Sequence, residues 1–145
     1  MSIHQLIYLS RSVRPMTQAD LDSISRASAI HNPRDELTGI LLYVGGNFMQ
    51  VLEGPPKNVS LRYAAIEKDL RHRDCRILNF SPTSHRLFPE WSMRVVSLDQ
   101  WAPATKSEFV EIIRDAETPQ SASLSRIYNF LEPFRTSAVA PVAVS

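Results

Sequence analysis

The chain has 145 residues, with sixteen Lys or Arg against fifteen Asp or Glu and a formal charge of +1. That balance provides none of the strong fields that hold nucleic acid or an anionic membrane, and neither partner is expected. A hydrophobic content of 43% is enough for one packed core, and a single cysteine, Cys75, excludes an internal disulfide and a paired-cysteine metal site. The opening MSIHQLIYLSRS has too short an apolar run for a secretory signal, no stretch reaches membrane-spanning length, and a cytoplasmic protein is expected.

Residues 3–10 alternate Ile3, Gln5, Ile7 and Leu9 against His4, Leu6, Tyr8 and Ser10, which predicts a first strand. Pro15, Thr17 and Asp20 form a helix-start signal, after which Leu21, Ile24 and Ser28 recur on one helical face. Pro33 is expected to end this helix, because proline disfavours the helical region for the residue before it. TGILLYV and NFMQVLE read as two strands joined by Gly45-Gly46, a pair able to adopt the positive φ angles of a tight hairpin. Gly54-Pro55-Pro56 stops the second run. Val59, Tyr63, Ile66 and Leu70 then follow at helical spacing, and RHRDC ends that helix. RILNFSP and MRVVSL supply two further strands.

The order strand, helix, strand, strand, helix, strand, strand matches a split βαβ, ferredoxin-like α+β sheet (βαββαββ) with both helices on one face. Beyond Trp101, Phe109, Ile112, Ile113 and Ala116 repeat at helical spacing, as do Leu124, Ile127, Tyr128 and Leu131. These two helices are expected to pack on the opposite sheet face. The expected organisation is a sensor domain at 1–100, a helical appendage at 101–135 and a flexible tail at 136–145.

Gln50 interrupts the apolar run FMQVLE, and an unpaired buried amide costs about 1 to 3 kcal/mol. It shares a face with Phe48 and Leu52, whereas Met49, Val51 and Glu53 share the other. Tyr8 lies on the Leu6 face of the first strand, which in this topology neighbours the third. A phenol and an amide at facing positions can hydrogen-bond, so an ordinary core partner suffices for Gln50. Ser28 and Asn32 at the end of the first helix and Asp69 near the end of the second would ring the space between the helices, although each residue type also serves as surface or cap.

Tyr8 in LIYLS, Asn32-Pro33 followed by LTGILLY, FMQVLEG with Gln50, DLRH at 69–72 and WSM at 91–93 occur in unbroken order. Together they resemble the BLUF domain, a blue-light sensor that uses flavin. The resemblance covers residues 3 to about 98. It implies a flavin between the two helices, held by Asn32 and Gln50 and lined by Ile24, Ser28, His31, Ile66 and Asp69. FAD is implied, with FMN or riboflavin as substitutes, and Arg71 and His72 are the candidates for phosphate. Ala65 departs from the family, which often places arginine or histidine there.

On this resemblance an electron and a proton leave Tyr8 under excitation, and Gln50 ends rotated or tautomerised with a new hydrogen bond to the flavin. Trp91 and Met93 carry the readout, on the expectation that the last strand lies beside the third. Signalling in trans is implied, to a cyclic-nucleotide enzyme or regulator, with homo-oligomers as dimers or larger rings. Two alternatives are a ferredoxin-like binding or assembly module without flavin and a redox flavoenzyme. The second has no evident acid, base or nucleophile for a substrate.

Overall fold

The computed structural model describes residues 2–116 and 124–135. The flexible tail expected at 136–145 lies outside them. Two compact units divide the chain, residues 1–97 and residues 98–145.

The first unit is an α+β sandwich of ferredoxin-like type. It runs β1 (Ile3–Ser12), α1 (Gln18–Arg34), β2 (Thr38–Val44), β3 (Asn47–Gly54), α2 (Pro56–Glu67), β4 (His72–Thr83) and β5 (Arg94–Ser97). The five strands are ordered β4-β1-β3-β2-β5, antiparallel throughout except for the parallel pair β2 and β5. The β2–β3 hairpin turns at Gly45 and Gly46, whose φ angles of 55° and 81° are open to glycine at little cost. Leu6, Leu41, Phe48 and Leu52 of the sheet bury against Leu21 of α1 and Val59 of α2. Side chains of this size each contribute about 1.5 to 3 kcal/mol on burial.

Four local expectations are corrected. β5 pairs with β2, not with β3. β3 already has β1 on one side and its hairpin partner β2 on the other, so the only free edge on that side belongs to β2. α1 passes through Pro33 to Arg34. A proline in the last turn forfeits a single helical hydrogen bond, and the carbonyls of His31, Asn32 and Pro33 are taken by the amides of Asp35, Glu36 and Leu37. α2 stops at Glu67, leaving Leu70 in the following turn and 89% exposed, so it is not part of the buried helical stripe. Asp69 lies in the same turn, and His72 already begins β4.

In the second unit, α3 (Pro103–Ala116) and α4 (Leu124–Leu131) pack together. Phe109, Ile112 and Ala116 of α3 and Ile127, Phe130 and Leu131 of α4 are buried, with the Phe109 and Phe130 rings 5.7 Å apart. Leu124 and Tyr128, expected on the α4 stripe, are not among its buried residues; Phe130 takes part instead. Arg126 pairs with Glu108, Glu111 and Asp115 across the two helices.

Candidate functional site

Tyr8 on β1 and Gln50 on β3 stand directly opposite in the antiparallel register. Period-two alternation sends both side chains to the helix-covered face. The Tyr8 hydroxyl donates to Gln50 Oε1, and Gln50 Nε2 donates to Met93 Sδ at 3.4 Å. Burial, with smaller contributions from Cys75, Tyr63 and Asp69, pushes the Tyr8 phenol well above its ordinary value. Tyr8 is therefore held as the neutral phenol, and its proton has a ready acceptor in the Gln50 carbonyl oxygen. Thioether sulfur is a weak acceptor, so the Gln50 amide is only lightly restrained at its nitrogen end.

A cleft of about 750 Å³ of empty space, counting its open mouth, lies over this pair. From α1 it is lined by Ile24, Ser28, His31 and Asn32, from α2 by Ile66, and from the turn and strand beyond by Asp69, Arg71 and His72. Every side chain expected around a ligand thus meets in one place. Leu41, Phe48 and Leu52 form the apolar floor beside Gln50.

Asn32 is 1% exposed. His31 Nδ1 donates to its Oδ1 at 2.6 Å, and its Nδ2 donates to the Ser92 carbonyl at 2.6 Å. Burial first, and then the nearby Arg62 charge, hold the His31 imidazole below its ordinary range, so it acts as a neutral donor. His72 spans Ser10 Oγ at 2.8 Å and the Ile66 carbonyl at 2.6 Å. A carbonyl can only accept, so Nε2 carries the proton. Arg71 grips Asp69 through Nε and Nη2, the shortest contact being 2.6 Å, and this contact lowers the Asp69 carboxyl below its ordinary value.

Trp91 is half-buried, its ring 6.5 Å from Phe88 and 4.8 Å from the Arg94 guanidinium carbon, while Met93 is buried. Both precede β5. Two residues escaped the sequence reading. Arg62 lines the cleft from α2, and its spacing from Val59 and Ile66 would have placed it on the inward face. Glu53 is fully buried, accepting from Gln5 Nε2 at 2.9 Å and from the Leu87 and Phe88 amides at 2.8 Å each. A carboxylate alternating with Met49 and Val51 was the available signal.

An isoalloxazine ring needs a slot with apolar walls and amide groups at its polar edge. The cleft has both, with Leu41, Leu52 and Ile66 in its apolar lining and Asn32 and Gln50 as amides. The sequence profile of a known family, described as sensors of blue light using FAD, matches residues 3–94. The chain belongs to the BLUF family. As a BLUF domain it is a flavin-binding sensor module for blue light.

This BLUF domain is 39% identical over 89 residues to the photoactivated adenylate cyclase subunit beta of Euglena gracilis, covering 61% of the chain and 10% of that protein. The chain thus spans about a tenth of the curated relatives it matches. It superposes on BlrB, a BLUF protein in its dark state, with a TM-score of 0.73 and 31% identity, covering 90% of this chain and 96% of that one. Klebsiella pneumoniae BlrP1 with FMN and cyclic diGMP gives a TM-score of 0.69 and 29% identity, covering 93% of this chain and 35% of the other. Among the described residues no helix is long and apolar enough to cross a membrane, and no group of three or more His, Cys, Asp or Glu is arranged to hold a metal.

Proposed function

We propose that Tyr8 and Gln50 form the photochemical switch of this sensor, that Asn32, His31, Ser28, Ile24, Ile66 and Asp69 hold the flavin ring, and that Met93 and Trp91 pass the change outward. The supporting observation is the hydrogen-bonded line Tyr8 O–H to Gln50 Oε1 and Gln50 Nε2 to Met93 Sδ on the cleft floor. When bound, flavin supplies visible absorption and a photo-oxidant. Burial holds Tyr8 as the neutral phenol, so if the bound flavin drew an electron from it, Gln50 Oε1, already accepting the Tyr8 O–H, would be placed to receive the phenol's proton.

A Gln50 amide turned end for end exchanges which of its atoms faces Tyr8 and which faces Met93. Because one amide carries both a donor and an acceptor, Gln50 can hydrogen-bond Tyr8 in either arrangement, which gives two states. Met93 Sδ loses its N–H partner in the turned state, which transmits the change to the segment before β5.

The output is assigned to another protein, a cyclic-nucleotide enzyme or regulator, and the chain to a cytoplasmic homo-oligomer, a dimer or larger ring. Relatives whose names join light sensing to adenylate cyclase, and a neighbour solved with cyclic diGMP, support that class. The deciding experiment is an absorption spectrum before and after blue light on the wild type and on Gln50→Leu. The proposal requires a reversible shift to longer wavelength in the first and none in the second; photobleaching in place of a shift refutes it.

A further inference from the structure

We propose that Arg62 is the phosphate-binding residue of this cleft, holding the phosphate at the end of the flavin's ribityl chain, the group shared by FMN and FAD and lacking in riboflavin. The inference rests on the flavin reading of the cleft and concerns which flavin is selected. Besides His31, three basic side chains line the cleft: Arg62, Arg71 and His72. Arg71 is occupied by the Asp69 carboxylate through both Nε and Nη2. Both nitrogens of His72 are engaged, by Ser10 Oγ and the Ile66 carbonyl.

Arg62 differs from both. Its Nη2 makes one longer contact, 3.2 Å to Asp35 Oδ2, and its Nε is buried with no hydrogen-bond partner. A buried guanidinium N–H without an acceptor is unfavourable. An anion in the cleft removes that cost, and phosphate oxygens suit the planar fork of arginine. The Arg62 charge reaches the cleft interior, since it helps depress the neighbouring His31 imidazole. Ala65, one turn further along α2, lines the same cleft with only a methyl group, so no other cation of α2 competes there among the lining residues. The pairing of Arg62 with Asp35, the C-cap residue of α1, also fixes the guanidinium at the gap between the two helices.

The test uses the full chain stripped of flavin and titrated with riboflavin, FMN and FAD, following flavin fluorescence, for wild type, Arg62→Gln and Arg62→Lys. Wild type should bind FMN and FAD roughly 10- to 100-fold more tightly than riboflavin, the worth of a charge-assisted contact. Arg62→Gln should erase that preference while leaving riboflavin affinity unchanged, and Arg62→Lys should keep part of it. A preserved preference in Arg62→Gln overturns the proposal. So does an equal loss for all three flavins, which would make Arg62 merely structural, or a loss for FAD alone, which would move the contact to the outer phosphate. Wild type binding none of the three would instead refute the flavin reading itself, and the proposal with it.

Discussion

Asn32 on α1 donates its side-chain amide to the backbone carbonyl of Ser92, sixty residues along the chain, at 2.6 Å. The next residue, Met93, receives the amide of Gln50. Two amides of the cleft are thereby tied to consecutive residues of one segment, so a change in either is felt at the approach to β5.

Replacing Asn32 with alanine removes one of those ties and leaves the Ser92 carbonyl and the His31 Nδ1–H without their partner. The fold should lose about 1 to 3 kcal/mol, and flavin should bind more weakly. Urea unfolding of the flavin-free chain separates the first effect from the second; an unchanged midpoint would show that water replaces the amide without cost.

Tyr8→Phe removes one hydroxyl from a buried ring that packs edge-on to Tyr63 at 5.2 Å. Flavin binding should persist and the red-shifted state should not form. The loss of a donor to Gln50 Oε1 should cost about 1 to 2 kcal/mol of stability. Transient absorption checks the photochemistry: a normal photocycle in this variant would assign the electron to another residue, Trp91 or Tyr63.

Glu53→Ala should be the most destabilising of these changes, because it removes the acceptor of the Leu87 and Phe88 amides and one partner of Gln5 Nε2 at once. At about 1 to 3 kcal/mol for each of the two backbone amides left unpaired, a loss of roughly 2 kcal/mol or more is expected. Thermal unfolding measures it. A change below about 1 kcal/mol would mean that the segment around residue 87 is anchored by Arg86 alone, which binds Thr38 and the Glu53 and Glu36 carbonyls.

His31 sets an acid dependence. Its folded-state pKa lies below the ordinary value of 6.5, through burial first and the Arg62 charge second. The unfolded chain therefore takes up the proton more readily, and stability should fall as pH drops below 6.5. His31→Asn should flatten that part of the profile between pH 7 and 5. An identical slope in wild type and variant would place the acid sensitivity on other groups.

The sequence by itself determined which face each strand residue takes. Side chains alternate along a strand, so Tyr8 and Gln50 could each be assigned to a face from parity alone, whereas Met93 precedes β5 and its contact with Gln50 is a product of the fold. The Gly45-Gly46 turn made the β2–β3 register readable, and Thr17 with Asp20 marked the start of α1, where the structure has the matching capping box. The five separated motifs carried the family. What only the tertiary structure decided is non-local. The place of β5 beside β2 follows from which edge the other strands leave free. The passage of α1 through Pro33 depends on partners for three carbonyls and on Asn32 being held by Ser92. The burial of Glu53 depends on amides more than thirty residues away. Arg62 gained its significance only when Arg71 and His72 were seen to be occupied, because a cation's availability is set by what surrounds it, and spacing along the chain carries no information about that.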